Sequence, residues 1–144
     1  MTREATEADL PDLLRWGADF AASIDLPGGF DPDSAEAFFR LLMGTENGIL
    51  LIAEGGAVGA LLHPAPYNRA HLTGQELFWW VDPAFRGAGT GKALFDALQA
   101  AVANLGANSF SMSTLGDHAI GQFYASRGYR QTDKTYTITF DERA

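Results

Sequence analysis

A seven-residue turn constrains the fold of this chain more than any other feature of its sequence. The turn follows the apolar run Glu76–Val81, leads into a helical pattern, and carries three alternating glycines between two cations. Its residues are Arg86, Gly87, Ala88, Gly89, Thr90, Gly91 and Lys92. A strand that enters a helix in this way leaves the first N–H groups of the helix pointing outward, and the helix dipole makes them an anion site. Because glycine lets the backbone curl around an anion and the cations add charge-assisted bonds, the turn predicts a phosphate site.

Two other phosphate-binding motifs fail on spacing at this turn. The loop of nucleotide hydrolases needs a glycine where Arg86 stands and a hydroxyl where Ala93 stands. The dinucleotide fingerprint, counted from Gly87, places Lys92 at its third glycine. The simplest remaining alternative is a helix start whose glycines only make the chain flexible.

The remaining hydrophobic pattern predicts a mixed α/β sheet. Apolar residues recur at helical spacing in some segments and cluster or alternate as strands in others. The predicted helices are Glu7–Ser23, one that starts at Asp31-Pro32, one that Gly106 ends, and Ala119–Ser126; the predicted strands are Ile49–Ala53, Ala57–His63, Glu76–Val81, Ser109–Ser113 and Thr135–Phe140. The polar stretch Asn68–Gly74 is predicted to separate two strands. This order places the strand–turn–helix unit near the middle of the sheet.

Composition sets the outer bounds on what the protein does. A chain of 144 residues with 47% hydrophobic content suits one domain, residues 1–144. The sequence has no apolar run of membrane-spanning length and no secretory pattern at its start, so we expect a soluble, cytoplasmic protein. The lack of cysteine excludes disulfides and thiolate catalysis. The net charge of -8 argues against nucleic-acid binding, and no ligand spacing predicts a metal site.

Two motifs resemble those of a known family. The stretch from Val81 to Leu94 resembles the acetyl-CoA signature of the GNAT superfamily of N-acetyltransferases, whose core is Arg/Gln-x-x-Gly-x-Gly/Ala; Arg86, Gly89 and Gly91 satisfy it. Phe123 to Tyr129 resembles the second signature, a Phe-Tyr followed three residues on by Gly-Tyr. The opening, from Arg3 to Asp9, also resembles the usual start of such domains. The resemblance thus covers the whole chain, although the first half matches only in pattern.

The resemblance implies a fold and a cosubstrate. The fold is a GNAT-like mixed, largely antiparallel sheet of six to seven strands with about four flanking helices. The cosubstrate is acetyl-CoA, and no metal takes part. The backbone of Trp79, Trp80 and Val81 would pair with the pantetheine arm, and the turn from Arg86 to Lys92 would hold the pyrophosphate. Asp117 stands where many relatives have an asparagine that contacts the cofactor. The bulk of the two tryptophans leaves a core role open for at least one of them.

The implied reaction is direct transfer of an acetyl group to a primary amine in a ternary complex. A backbone N–H at the end of the central strand would bind the developing oxyanion. Tyr124 is the candidate proton donor to the leaving thiolate, because a phenol stays protonated at neutral pH. Glu76 is the candidate base, but strict alternation places it opposite Trp79 and Val81, so this role requires a β-bulge. His63, His71 or water alone are the alternatives.

The acceptor and the partners are left open by the sequence. On analogy with the family, the acceptor pocket would use the Ile24–Phe30 loop, the Pro64–Gly74 segment and the Thr132–Tyr136 region. Small amines, amino acids, polyamines, aminoglycosides and protein N-termini all remain candidates. A homodimer through the sheet edge and the last strand is also expected. The rival functions are a CoA-binding module without catalysis and a non-enzymatic interaction domain.

Overall fold

The computed structural model describes residues 1–140, which fall into two compact units. The first unit is Met1–Ser111, and the second begins at Met112. The strands, all in the first unit, are β1 (Arg3–Glu4), β2 (Gly48–Ala53), β3 (Gly56–Ala65), β4 (Asn68–Val81) and β5 (Ser109–Ser111). The helices are α1 (Leu10–Ser23), α2 (Pro32–Gly44), α3 (Thr90–Asn104) and, in the second unit, α4 (His118–Ser126). Single turns of tighter helix, Glu7–Asp9 and Pro83–Phe85, precede α1 and the glycine turn.

The five strands form one sheet in the order of the chain. Neighbours from β1 to β4 are antiparallel, and β5 runs parallel to β4 beside Thr73–Gln75. The predicted mixed, largely antiparallel sheet is confirmed. The predicted count of six to seven strands is too high for residues 1–140, where the structure has five.

The hairpin between β2 and β3 explains one feature of the sequence in detail. Its two-residue turn is Glu54-Gly55, and Ala53 pairs with Gly56 across it. Gly55 has a φ of +85°, and a Cβ atom there would come within 2.3 Å of the Phe85 ring. Only glycine meets both demands, which fixes the hairpin beside the segment that follows β4.

Two sequence predictions of local structure were wrong. The polar stretch Asn68–Gly74 belongs to β4, where it pairs with β3 and extends the hairpin. Its polar side chains are compatible with a strand because Asn68 and Arg69 are exposed and His71 and Thr73 are only half-buried. The alternating segment Thr135–Phe140 is not a strand in the described structure. Alternation is necessary for a half-buried strand, but a strand also needs a neighbour to pair with.

Helices pack on both faces of the sheet in the first unit. On one face, α1 and α2 cover a core that includes Leu13, Trp16, Phe39 and Leu42. On the other face lies α3, whose buried residues Leu94, Phe95, Leu98 and Val102 repeat at helical spacing. Two glycines of β3 that are three positions apart, and so face opposite sides of the sheet, confirm this arrangement. A Cβ at Gly59 would touch Leu42 of α2, and one at Gly56 would touch Leu94 of α3.

The predicted helix ends are found in the structure. Asp31 caps α2 by accepting a hydrogen bond from the Ser34 backbone N–H at 3.0 Å. Gly106 follows α3 with a φ of +92°, as a left-handed stop requires. In the second unit, Asp117 caps α4 by accepting from the Ile120 N–H at 3.1 Å. Within residues 1–140, none of the helices combines the length and the apolar composition that spanning a bilayer would need.

Candidate active site

An irregularity in β4 organises the region that the sequence predicted to be the site. Across the β3–β4 ladder, Gly59 pairs with Phe78 and the next residue, Ala60, pairs with Glu76. Leu77 falls between these two pairs, so β4 carries one extra residue there. This is a β-bulge, the feature that the Glu76 prediction required.

The bulge changes which side chains share a face of the sheet. Gly74 faces α3, since a Cβ there would lie 2.7 Å from Val102. Glu76, two residues farther along the same regular stretch, therefore faces α3 as well. Beyond the bulge, Trp79 also faces α3, because its indole N–H donates to the Gly91 carbonyl at 3.2 Å. Glu76 is only 9% exposed and is one of two buried charged residues in the described chain. The bulge thus places Glu76 on the same face as Trp79.

The end of β4 extends past its neighbour on one side. Strand β5 pairs only with Thr73–Gln75 and ends there, whereas β4 continues to Val81. The stretch Leu77–Val81 therefore forms the outer part of the sheet next to the glycine turn. An extended ligand lying along this edge would meet main-chain groups in the geometry of an added strand.

The glycine turn itself has the backbone that its sequence predicted. Gly87 and Gly89 have φ values of +85° and +91°, and Gly89 is the N-cap of α3. A Cβ at either glycine would meet no atom within 4 Å, so the turn needs glycine for its conformation, and a ligand has room above it. A Cβ at Gly91 would lie 3.5 Å from Val81, which is ordinary contact.

The two cations of the turn are held by neighbours. The Arg86 Nε donates to the Val81 carbonyl at 2.8 Å, and its guanidinium lies 4.8 Å from the centre of the Trp80 ring. The Lys92 ammonium lies 3.2 Å from the Asp96 carboxylate one helical turn ahead, and both side chains are about half exposed. Lys92 is therefore poised to move toward an anion, whereas Arg86 is stacked on the strand.

An apolar cavity of about 220 Å³ lies on the opposite face of β4, between that strand and the helices α1 and α2. We call it the aromatic cavity. Its lining comprises Leu13, Trp16, Gly17, Phe20, Leu26, Phe30, Ala35, Phe38, Phe39, Leu77, Phe78 and Trp80. The acceptor loop predicted from the sequence included Leu26 and Phe30 but not the aromatic residues of the two helices. Their helical spacing was visible, yet spacing alone does not separate a cavity wall from a filled core.

The connection between α1 and α2 forms the outer rim of the aromatic cavity. Gly28 and Gly29 turn the chain with φ values of +84° and +73°. Phe30 then lies over α1 at Gly17, where a Cβ would come within 3.2 Å of its ring. Leu26 is 37% exposed at the rim. The predicted role of this loop in forming a pocket thus has a structural basis, whereas Pro64–Gly74 is mostly strand.

A larger cavity of about 400 Å³ near the start of the chain has charged groups in its lining, most of which are paired with one another. Arg3 makes two hydrogen bonds of 2.8 Å to Asp9, and these bonds lower the pKa of that carboxyl to about 2 despite its burial. Burial opposes ionisation of Asp82, but hydrogen bonds from Trp16 and Arg15 outweigh it and lower its pKa. These pairs join α1 to the start of the chain and to the end of β4.

Two of the predicted site residues lie in the second unit. Tyr124 is 7% exposed on α4, and its hydroxyl donates to the Ser113 carbonyl at 2.9 Å. Its ring packs 5.9 Å from that of Tyr129. Asp117 has the capping role described above, which accounts for an acid at that position without a ligand. The catalytic role of Tyr124 and the cofactor contact of Asp117 stay predictions. Among the described residues, no cluster of three or more His, Asp or Glu side chains could hold a metal ion.

Comparison with known proteins identifies the family. The family model of the GNAT acetyltransferase domain matches residues 46–131, which is more than half of the chain. The chain therefore belongs to the GNAT acetyltransferases and is an acyltransferase. A search of curated proteins finds no match.

Solved structures agree on the fold. A transcriptional regulator from Bacillus halodurans C-125 superimposes with a TM-score of 0.80 at 20% identity, over 97% of this chain and 99% of that chain. An acetyltransferase of Trypanosoma brucei superimposes with a TM-score of 0.74 at 18% identity, over 97% of this chain and 99% of that chain. The glucosamine-6-phosphate N-acetyltransferase of Arabidopsis thaliana gives 0.73 at 15% identity, over 98% of each chain. At these identities the likeness shows the fold alone.

Proposed function

We propose that this protein is an acetyl-CoA-dependent N-acetyltransferase that moves an acetyl group to a primary amine by direct attack in a ternary complex. The Leu77 bulge carries the proposal, because it places a buried acid on the face of β4 that adjoins the glycine turn. The family match supports acetyl transfer in general. The choice of amine nitrogen as acceptor and the residue roles below are our inference.

The proposed cosubstrate site combines the strand edge and the turn. The pantetheine arm lies along Trp79, Trp80 and Val81, where β4 extends past β5. The pyrophosphate lies over the turn from Gly87 to Lys92, and its oxygens accept hydrogen bonds from the first backbone N–H groups of α3. Lys92 exchanges its exposed contact with Asp96 for a phosphate oxygen, a change that costs little because surface ion pairs are weak.

The proposed chemistry begins with attack of the amine on the thioester, and two groups of β4 assist it. The amine nitrogen attacks the thioester carbonyl carbon, and a backbone N–H near the end of β4 stabilises the oxyanion that forms. Glu76 takes the proton that the amine must lose, directly or through water. An ammonium of pKa about 10.4 has no lone pair with which to attack, so it must first lose a proton to a base.

Tyr124 is the proposed proton donor when the C–S bond breaks. A phenol of pKa about 10 is still protonated when a thiol of pKa about 8.5 is leaving as thiolate. In the structure the hydroxyl proton is directed to the Ser113 carbonyl, so donation to sulfur requires the O–H to rotate away from that carbonyl. We expect Tyr124→Phe to lower kcat by about 100-fold and to leave the affinity for acetyl-CoA within about twofold. Steady-state kinetics with calorimetry measures both, and unchanged kcat would contradict the assignment.

The test of the whole proposal is calorimetric titration with acetyl-CoA. The native chain should bind, and the double variant Gly89→Glu, Gly91→Glu should not, because glutamate strains the left-handed N-cap at position 89 and both carboxylates would repel the pyrophosphate. The control is Leu41→Glu with Gly44→Glu, which adds the same charge at exposed positions on α2. Failure of the folded native chain to bind would refute the proposal. Binding without acetylation of any amine would favour the CoA-binding module.

We also propose a homodimer that forms through the segment Thr135–Phe140. Tyr136, Ile138 and Phe140 alternate along it and are 88%, 73% and 89% exposed. Two copies of such a segment can pair antiparallel about a twofold axis and cover these side chains. Sedimentation velocity should show a dimer that Ile138→Lys dissociates and that Thr137→Lys leaves intact, because residue 137 would face away from these side chains once the segment is paired as a strand. A monomeric native chain would contradict this arrangement.

A further inference from the structure

We infer that the aromatic cavity is the acceptor subsite and that it takes an aromatic or branched aliphatic group carried by the amine on a short arm. The inference rests on the proposed function and narrows its acceptor class. It excludes polyamines, sugars and other acceptors whose bodies carry charges or many hydroxyl groups.

The chemistry of the lining defines the occupant. The lining is apolar apart from two indole N–H groups, and the wall is mostly rings contributed by α1, α2 and β4. The Trp16 N–H donates to Asp82 at 2.9 Å and the Trp80 N–H is buried, so no lining side chain offers a hydrogen-bond acceptor. An ammonium group buried there would lose its hydration without a side-chain partner, and a group with several hydroxyls would find at most one donor, at a cost of roughly 1–3 kcal/mol or more for each unpaired group. An apolar body loses nothing on entry and gains contact with the wall.

The size of the cavity also fits a single ring. A dry cavity of about 150 Å³ lined by Leu, Ile and Phe side chains is known to bind benzene. The aromatic cavity, at about 220 Å³, has room for a six-membered ring and a short arm. The surrounding rings already meet edge to face, Phe20 with Trp80 at 6.0 Å and Phe39 with Phe78 at 5.6 Å. A further ring can join them in the same geometry.

The position of the cavity connects it to the reacting bond. Leu77, Phe78 and Trp80 belong to the part of β4 that extends past β5, where the thioester lies in the proposed function. Leu77 is the bulge residue, so the cavity wall reaches the point where the strand changes face. A ring in the cavity therefore leaves a short arm to carry the amine to the strand edge.

The first arm of the test compares primary amines that differ in the group joined to the aminoethyl arm: a ring, nothing, or a second charged end. We expect 2-phenylethylamine to be acetylated with a kcat/KM at least about 30-fold above that of ethylamine, since ring burial adds binding that ethylamine lacks. Putrescine, with a second charge in place of the ring, should be no better than ethylamine. Equal rates for all three amines, or a preference for putrescine, would overturn the inference.

The second arm measures binding without turnover. Trp16 and Trp80 line the cavity, so 2-phenylethylamine should change the tryptophan fluorescence of the protein saturably, with acetyl-CoA present or absent. This signal separates the two proposals. If acetyl-CoA fails to bind and the amine still binds, the acetyltransferase proposal fails and the cavity is an apolar ligand site but not an acceptor subsite. If acetyl-CoA binds and the amine gives no signal and no product, the inference about the cavity fails alone.

The third arm alters the cavity itself. Ala35→Leu fills it, and Leu26→Asp places a charge at its rim, where 37% exposure lets the fold accept the change. Each should lower kcat/KM for 2-phenylethylamine about tenfold or more and change that for ethylamine by less than about twofold. The control Leu41→Asp, at a 59% exposed position outside the lining, should change neither.

A longer acyl chain is the competing occupant, and the same variants detect it. Under our inference Ala35→Leu leaves the relative use of acetyl-CoA and butyryl-CoA unchanged. If instead the variant abolishes use of butyryl-CoA and leaves the preference among amines as it was, the cavity holds the acyl chain and the inference is wrong.

Discussion

The two faces of strand β4 differ in chemistry over the same few residues. Toward α1 and α2, Phe78 and Trp80 border an apolar cavity. Toward α3, Trp79 contacts the helix start at Gly91, and Glu76 supplies a buried carboxyl group. One strand thus has an apolar cavity on one face and a buried carboxyl group on the other, and the two meet at the strand edge where we place the amine.

The bulge at Leu77 creates this difference. In an unbroken strand Glu76 would face the same side as Phe78 and Trp80, and a buried carboxylate among the aromatic rings would be costly. The extra residue shifts the alternation of side chains by one position, so that Glu76 faces α3. A bulge can therefore decide which face of the sheet each side chain occupies without any change in residue type.

The largest expected effect is loss of stability on the cavity side. Phe39 is 5% exposed and packs against Phe78, so Phe39→Ala should lower the free energy of unfolding by about 3–5 kcal/mol. Urea denaturation measures the change. The affinity of the remaining folded protein for acetyl-CoA should stay within about twofold, because the opposite face is untouched. A large loss of that affinity would show that the two faces are coupled.

The next effect concerns the α3 face and leaves the fold unchanged. Glu76→Gln keeps the shape of the side chain and removes the proposed base, so kcat/KM at neutral pH should fall by about 100-fold. Because a smaller fraction of the amine is protonated at higher pH, the deficit should shrink as pH rises toward the pKa of the acceptor. A deficit that is the same at every pH would indicate a structural role for Glu76.

A smaller effect is expected where the two faces are linked. Arg86 stacks on Trp80, which lines the cavity, while its Nε holds the carbonyl of Val81. Lysine lacks the planar group and this Nε–H, so Arg86→Lys should weaken acetyl-CoA binding by about three- to tenfold. Calorimetry at low and moderate salt measures the loss. An unchanged affinity would mean that the charge alone matters at position 86.

The smallest effect is a dependence of stability on pH at the start of α1. Hydrogen bonds from Arg3 lower the pKa of Asp9 from 3.8 to about 2 in the folded chain. The ionised form is thus favoured by folding, so the stability it contributes is complete above about pH 4 and is lost as pH falls toward 2. The difference in unfolding free energy between the native chain and Asp9→Asn should therefore be larger at pH 5 than at pH 2. A constant difference across this range would contradict the assignment.

The sequence predicted the parts of this site that depend on local backbone chemistry. Gly87 and Gly89 adopt the left-handed conformations that the turn required, and Gly106 ends α3 as expected. The helices and the two strands on either side of Glu54-Gly55 were also predicted near their observed bounds. These features follow from neighbours in the chain, so a single sequence contains the information.

Features that depend on pairing between distant segments were predicted less well. Alternation alone put Glu76 on the wrong face, because the bulge at Leu77 is set by the register with β3. Asn68–Gly74 looked too polar for a strand, yet it pairs with β3 along an exposed hairpin. The aromatic cavity was missed because it arises where α1, α2 and β4 meet, and no segment contains it alone.

The Leu77 bulge also has a consequence for how this gene can vary. Replacing the codon for Leu77 changes one side chain, which is already 39% exposed. Losing that codon would restore unbroken alternation, so one half of β4 would have to exchange its two faces. Either the acid would enter the aromatic wall, or Trp79 would leave α3. We therefore expect this position to accept missense changes and to reject in-frame deletions.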